Sequence, residues 1–377
     1  MNRRRLLMDC TPKGGINPNE LDYLTIVVES DYCEVWPYPM QLKMEDNTFV
    51  DSVLLFSRNG GSWTSIEYDE ETGELIPLTL RKGDVVRFKG NGYDFTTMYP
   101  IWFDSLGAFR TAWNYGIYGD YGYYSVQGTP LSLWYGDDFK SKANEVLPES
   151  CFCELFANGV DKLIRINNPK TFLPYTNLSV SCYDSMFVNC SRLLNAPVLP
   201  ATTLVEDCYK AMYRGCANLS YIKMLATDIS AARCLQGWGR NISTYGLFVQ
   251  NPSADWEDRG DSGIPTDWQL AKEGTEWVYS KSFIGLDEAQ WGDYTEVANM
   301  VRGMLSAFGY IDSTTYEGYD ILTVDNIPPE FQITINGESV TRLEADIADL
   351  NSMLYIYSDS YLINMYSDAS QIYISSY

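Results

Sequence analysis

LPYTNLSVSCYDSMFVNCSRLLNAPV, residues 173–198, is followed by LPATTLVEDCYKAMYRGCANLSYIKM at 199–224 and by a decayed LATDISAARCLQGWGRNISTYGLFVQ at 225–250, so one pattern recurs at intervals of 26 residues. Cys182, Cys208 and Cys234 fall in register, as do Cys190 with Cys216, Met186 with Met212, and Leu193 with Leu219. A looser copy, LPESCFCELFANG, starts at Leu147, one period upstream. A unit of this size cannot bury its own apolar face, so the spacing predicts copies stacked into a solenoid with a shared core. The third copy carries Gly237-Trp238 in place of the apolar pair, and altered terminal units are what capping of a stack requires.

The run CYDSMFVNCSRLLNAPVLPATTL, from Cys182 to Leu204, resembles the BspA-like branch of the leucine-rich repeats, common in surface and prophage proteins of gut anaerobes. Downstream, YIKMLATDISAARCLQGW, GLFVQNP and SGIPTDWQL are similar to the way such arrays end in phage-borne members. Upstream, GDVVRFKGN and SLWYGDDF resemble the small β-domain that precedes the repeats there, and the start MNRRRLLM is similar too. The resemblance spans residues 1–270, is specific over 147–270, and does not reach the rest of the chain. It implies adhesion or display on a virion surface rather than catalysis.

Composition limits the chemistry. At 377 residues the chain exceeds the usual size of one core. Twenty-seven Lys and Arg against 50 Asp and Glu give a net charge of −23, which repels phosphate backbones and argues against a nucleic-acid partner. Tyrosine occurs 29 times and histidine not at all, which removes Ser-His and Cys-His nucleophile pairs and the commonest metal ligand. An enzyme would have to work with carboxylates alone, and no local motif marks the paired carboxylates of a glycosidase. The chain therefore reads as a non-enzyme without cofactor or metal, with a polysaccharide depolymerase as the remote alternative. Five of nine cysteines, Cys182, Cys190, Cys208, Cys216 and Cys234, occupy repeat positions where a small apolar side chain stacks in a core, so reduced thiols are expected. Cys151 and Cys153 are too close together for a zinc pair. A disulfide between neighbouring copies is the alternative.

The start MNRRRLLMDC has the basic residues of a signal peptide, but its apolar stretch is only Leu6, Leu7 and Met8, against the about 7–15 residues a secretory segment needs. No run approaches the ~20 apolar residues of a membrane span, so membrane insertion is not expected. An exported adhesin would need a signal, whereas a phage protein made in the host cytoplasm is released by lysis. The expected location is thus the virion, with the extracellular bacterial surface as the alternative.

The expected fold class is α+β multidomain: an N-terminal β-sandwich, a short leucine-rich-repeat solenoid of 26-residue units, and a C-terminal α/β region with a β-meander. Residues 1–19 read as an extended docking arm carrying Arg3, Arg4 and Arg5. Residues 20–100 read as the β-sandwich, from the alternation of Leu24, Ile26 and Val28 and from two strands about an Asn59-Gly60 turn. A Tyr/Trp/Gly-rich connector covers 101–146, the solenoid 147–270, and an α+β assembly region 271–377. Within the last, DEAQWGDYTEVANMVRGMLSAF at 287–308 predicts a helix, FQITING a strand, and TRLEADIADL a short helix or turn. YSDSYLIN at Tyr357 is echoed by YSDASQIY at Tyr366, which predicts strands joined by Ser-Asp turns. So aromatic an edge aggregates unless covered, and a second protomer or a neighbouring particle protein is the expected cover.

The candidate binding site is WNYGIYGDYGYY, Trp113 to Tyr124. Tyr115, Tyr118 and Tyr121 are each followed by glycine, at Gly116, Gly119 and Gly122, and Trp113, Asp120, Tyr123 and Tyr124 complete the set. Tyrosine supplies rigid amphipathic contact area and glycine lets the backbone adapt, the composition of antibody paratopes. Rings with a nearby Asp120 also suit stacking on sugars. The competing reading is that these rings pack against the first copy or a neighbouring subunit. A second candidate is DWEDRGD, Asp255 to Asp261, whose carboxylates suit calcium but lack the spacing of an EF-hand loop, so a solvated acidic loop is the default. Expected partners are other virion proteins, a host surface protein or glycan, and further copies of the chain.

Overall fold

The computed structural model describes residues 17–37, 53–73, 75–90, 122–157, 162–244 and 246–273, with short strand segments elsewhere, the last ending at Ser376. Leu24, Ile26 and Val28 alternate along the strand Leu24–Val28 and are fully buried. This strand lies inside a six-stranded sheet between Val85–Lys89 and Tyr124–Gln127, antiparallel to both. Leu55–Arg58 and Thr64–Ser65 extend one side, and Leu163–Ile166 ends the other, parallel to Tyr124–Gln127. Asn59 and Gly60 both take positive φ, 52° and 75°, the turn geometry that follows the twist of a hairpin. The Asn59 amide also donates to Asp84 at 2.7 Å and accepts from the Val85 N–H at 2.9 Å. Burial works against the charge of Asp84, yet hydrogen bonds from Arg58, Asn59 and the Arg81 N–H outweigh it and hold the carboxyl below its usual range.

The copies join through backbone hydrogen bonds at every second residue. The N–H groups of Ser181, Tyr183, Ser185, Phe187 and Asn189 donate to the carbonyls of Glu206, Cys208, Lys210, Met212 and Arg214 at 2.8–3.1 Å. One period on, Asp207, Tyr209, Ala211, Tyr213 and Gly215 donate in the same way to Ala232, Cys234, Gln236, Trp238 and Arg240. The intervening N–H groups, from Cys182 to Cys190, turn back onto the carbonyl three residues earlier, so none of these donors is left without a partner. Such a run of turns needs a left-handed residue at every fourth position. Ser181, Ser185 and Asn189 supply it, then Asp207, Ala211 and Gly215, then Arg233, Gly237 and Asn241, with φ between 50° and 81°. At Gly215, φ +81°, a Cβ would meet the Asn189 backbone at 3.2 Å and its side-chain Oδ1 at 2.5 Å, so tight space adds to the preference for glycine.

In-register backbones place like side chains in columns. Phe152, Tyr183 and Tyr209 stack with centroids 5.7 Å apart at each step, and Phe156, Phe187 and Tyr213 at 5.5 and 5.8 Å. Both columns are buried, beside a column of thiols at Cys151, Cys182, Cys208 and Cys234. The column contacts correct the alignment at both ends. Phe152 lies against Tyr183, so the first step is 31 residues (183 − 152) and not 26, and Leu147 donates to Asn177 instead of lying beside Leu173. The extra chain between Ala157 and Leu173 contains the strand Leu163–Ile166 and the helical turn Pro169–Phe172. In the third copy the apolar pair corresponds to Trp238-Gly239, one residue later than Gly237-Trp238, because the Tyr213 N–H bonds to the Trp238 carbonyl. Tryptophans close both ends. Trp134 donates its indole N–H to the Cys151 carbonyl, and Trp238, Trp256 and Trp268 donate theirs to Gly263, Ala226 and Ser243.

The expected α+β multidomain fold, with a β-sandwich, a leucine-rich-repeat solenoid and a C-terminal α/β region, is not what the described residues form. Strands predominate in open mixed or parallel sheets, and the helical elements are the short turns Pro18–Glu20, Leu131–Tyr135, Gly136–Lys140 and Pro169–Phe172. No sheet runs through all the copies. Tyr221–Met224, Leu247–Gln250 and Gln269–Lys272 form a separate three-stranded parallel sheet. The corresponding residues of the preceding copy do not form a strand, because Pro197 stands at the position of Lys223 and has no N–H to give. There the Asn195 side chain substitutes for a ladder, accepting from the Ile166 N–H and donating to its carbonyl, both at 2.8 Å. The expected helix at 287–308 lies outside the described residues. TRLEADIADL supplies a strand, Arg342–Asp346, in an antiparallel sheet that also contains Asp312–Tyr316, Tyr319–Asp325, Met353–Tyr357, Tyr361–Tyr366 and Ile372–Ser376. Among the described residues no helix is long and apolar enough to cross a membrane.

Leu193 and Leu219 are both fully buried at equivalent positions. Replacing either with Ala is expected to cost about 2–5 kcal/mol in denaturant unfolding, and losses below about 1 kcal/mol from both would refute the stacked register. Asp84 carries a folded value below its unfolded one, so its contribution is complete above the ordinary carboxylate range and is lost as pH falls through the depressed value. Asp84→Asn should therefore lower stability at neutral pH and flatten its acid dependence below about pH 4, read from melting temperatures across pH.

Candidate binding surface

The tyrosine-rich stretch divides. Trp113, Tyr118, Asp120 and Tyr121 lie outside the described residues. Tyr115 begins the short strand Tyr115–Gly116, which pairs with Pro37 and Trp36. Tyr123 and Tyr124 do not face outward. Tyr124 is fully buried in the strand Tyr124–Gln127, and Tyr123 is buried with the Arg192 guanidinium 5.9 Å from its ring centre. Gly122 explains the close approach. Its φ is +126°, and a Cβ there would meet the Tyr32 carbonyl at 2.3 Å. Both are buried because the chain after Gly122 runs directly into the six-stranded sheet, Tyr124 in its strand and Tyr123 immediately before it.

The DWEDRGD loop is structural on one side and solvated on the other. Trp256 is buried, while Asp255, Glu257, Asp258 and Asp261 are exposed. Arg259 reaches the carbonyls of Thr266 and Trp268 at 3.1 and 2.7 Å, tying the loop across itself. Among the described residues no three or more Cys, Asp or Glu side chains are grouped to hold a metal ion.

The cysteines sit where nucleophiles are suppressed. Cys33, Cys151, Cys153, Cys182, Cys190, Cys208, Cys216 and Cys234 are all free and buried. Burial pushes the thiols of Cys33 and Cys208 up to about 12, and those of Cys151, Cys182 and Cys216 well above their usual value. Cys190 and Cys216 donate to the carbonyls of Phe156 and Phe187 at 3.2 and 3.1 Å, an inward role.

One polar cluster escaped sequence reasoning because its members are far apart in the chain. Asp137 accepts two hydrogen bonds from the Lys89 ammonium, at 2.8 and 2.7 Å, and one from the Tyr23 hydroxyl at 2.6 Å. The same ammonium lies 4.5 Å from the centre of the Trp63 ring. Burial first, and then Asp137, push the Tyr23 phenol up to about 12, so it stays a donor at neutral pH. Lys89 and Tyr23 are fully engaged within the protein, and the cluster works as a clamp between the six-stranded sheet and the turn Gly136–Lys140. A groove of about 320 Å3 beside it in sequence, lined by Phe56, Ile76, Leu78 and Val86, has its cation Arg58 already committed to Asp84.

What remains outward is the face of the stacked turns. It carries ion pairs between neighbouring copies, Lys210 with Asp184 at 2.8 Å and Arg233 with Asp207 and Glu206 at 2.7 Å each. Thr176, Asn177, Thr202, Thr203, Asp228 and Ser230 are exposed on the loops that start each copy. Spacing in the sequence aligned the cysteine, methionine and leucine positions, and these polar columns emerge only from the structure. Comparison with protein-family models, with curated proteins and with solved structures found no match.

Burial of the thiol column has a direct consequence. In the folded protein Cys182 and Cys208 should resist iodoacetamide at pH 8 and become modified only in denaturant, as read by intact mass. Rapid modification of the folded chain would contradict their burial.

Proposed function

We propose that the chain is a non-catalytic structural protein of a phage particle, part of a tail fibre, tail tip or head fibre, whose repeat region and tyrosine-rich connector engage a host surface molecule or a neighbouring virion protein. The observation that carries this reading is the division of labour in the repeats. Their potentially reactive groups, the thiols and phenols, are buried in columns, while the outward positions are polar and in register. A surface built so repeats its contacts at each copy, which suits extended recognition better than a single reaction centre. The absence of histidine and the resemblance of the Cys182–Leu204 run to repeats of surface and prophage proteins support the same reading.

Mass spectrometry of purified, nuclease-treated particles is the direct test, with the protein expected at a stoichiometric level. Recovery on the bacterial cell surface and not in particles would instead make it an adhesin. Replacing Tyr115, Tyr118 and Tyr121 together with Ala is expected to abolish binding to host cells with little change in melting temperature, since losses of about 2 kcal/mol or more per dominant ring are ordinary at interfaces. An early-melting triple variant with intact binding would assign these rings to packing.

A further inference from the structure

The ion pairs between copies follow a rule that one column breaks. At the 184/210 positions Asp184 meets Lys210, and at 207/233 Asp207 meets Arg233, so a cation on one copy lies against a carboxylate on the next. Arg214 and Arg240 are also one copy apart, and both are exposed. Their backbones lie side by side, because Gly215, next to Arg214, donates to the Arg240 carbonyl at 2.9 Å, as Asn189 does to the Arg214 carbonyl at 2.8 Å one copy earlier. Left-handed residues flank both, Ala211 and Gly215 around one, Gly237 and Asn241 around the other, so the two side chains leave the stack from matching backbone geometry. Among the described residues Arg240 pairs with Asp261 alone, at 4.0 Å, with both side chains more than 60% exposed (62% and 66%), which is a weak, screened contact. Among the described residues Arg214 forms no ion pair.

Two guanidiniums at adjacent in-register positions repel each other, and in a chain with 50 acidic residues a compensating carboxylate would be the default. The geometry points to an external anion: Arg214 and Arg240 form a subsite for a single carboxylate, that of an acidic sugar on an otherwise neutral surface glycan. Neighbouring backbones about 5 Å apart let the two oxygens of one carboxylate each accept from a different guanidinium, a charge-assisted arrangement that an ammonium does not reproduce. Gln236 and Asn241, in the same copy as Arg240, are exposed, and their amides both donate and accept, which matches sugar hydroxyls. Net charge decides between ligands. A polymer charged at every residue meets the full field of −23, whereas an isolated carboxylate meets chiefly the charges within one Debye length, about 8 Å, among them Asp261, whose weak 4.0 Å contact with Arg240 it would displace.

This subsite rests on the surface-recognition reading above, but it is tested on the purified full chain, so it can fail while the protein is still found in particles. Calorimetry would compare a glucuronate-terminated oligosaccharide, its neutral glucose-terminated counterpart, and inorganic phosphate. Salt-sensitive binding of the acidic sugar alone is expected. Arg214→Gln or Arg240→Gln should weaken it about tenfold, equivalent to about 1.4 kcal/mol, and the double substitution should abolish it. Arg233→Gln, whose side chain is matched to Asp207, should leave binding unchanged. Should the double variant prove unstable, Arg214→Lys keeps the charge, loses the fork, and should still weaken binding. No binding by the unmodified chain, equal binding of the neutral sugar, phosphate binding as tight as the acidic sugar, or unchanged binding by the double variant would each overturn the assignment.

Discussion

The hydrogen bond from every second N–H of one copy to a carbonyl of the next is the interaction on which the rest of the repeat region depends. It sets the register, and the register places Tyr183 over Tyr209, Phe187 over Tyr213 and Cys182 over Cys208. The other N–H groups close turns within their own copy, so the backbone is satisfied without either a long helix or a continuous sheet. That solution has a conformational cost. Ala211 and Arg233 hold left-handed φ values of 50° and 52°, which cost about 1–2 kcal/mol for a residue with a Cβ. Columns of buried rings and thiols, each at full contact with its neighbours, offset that cost.

Ends are the weak points of any stack, and here indole groups cover them. A tryptophan brings a large apolar surface to the last turn and a single donor for an otherwise open carbonyl. The sequence departs from its repeat at these places: Trp134 stands before the first copy, and Trp256 and Trp268 follow the third. Largely buried ion pairs then connect the stack to its surroundings. Arg165 meets Glu29 at 2.6 Å across the six-stranded sheet, and Lys223 meets Glu273 at 3.0 Å at the parallel sheet. Removing one partner of such a pair leaves an uncompensated charge away from water, at a cost of about 3–5 kcal/mol.

Charge acts on two scales. Over the whole chain a balance of −23 disfavours polyanionic partners at long range. Within the stacked turns, pairing is decided by which residues share a column, and a column holding Arg214 and Arg240 is locally positive whatever the total. Screening keeps the two scales apart, since contacts a few Å long are felt inside the Debye length and the net charge mostly beyond it.

From sequence alone came the period, the matched positions of the two central copies, and the chemistry that missing histidine and buried-type cysteines rule out. Equal spacing makes residues equivalent wherever the chain leads them, so register could be read without coordinates. The Asn59-Gly60 turn was legible for a related reason, being dictated by two adjacent residues that tolerate positive φ. The tertiary structure decided the rest. Pro197 and Asn195 stop the sheet between copies, a local refusal of one hydrogen bond that similarity of pattern conceals. The 31-residue first step comes from the strand Leu163–Ile166, which pairs with Tyr124–Gln127 outside the repeats. Tyr123 and Tyr124 looked like part of a paratope by composition and are core by placement. Composition states what a side chain can do, and only the packing of distant strands determines whether it meets solvent or another ring.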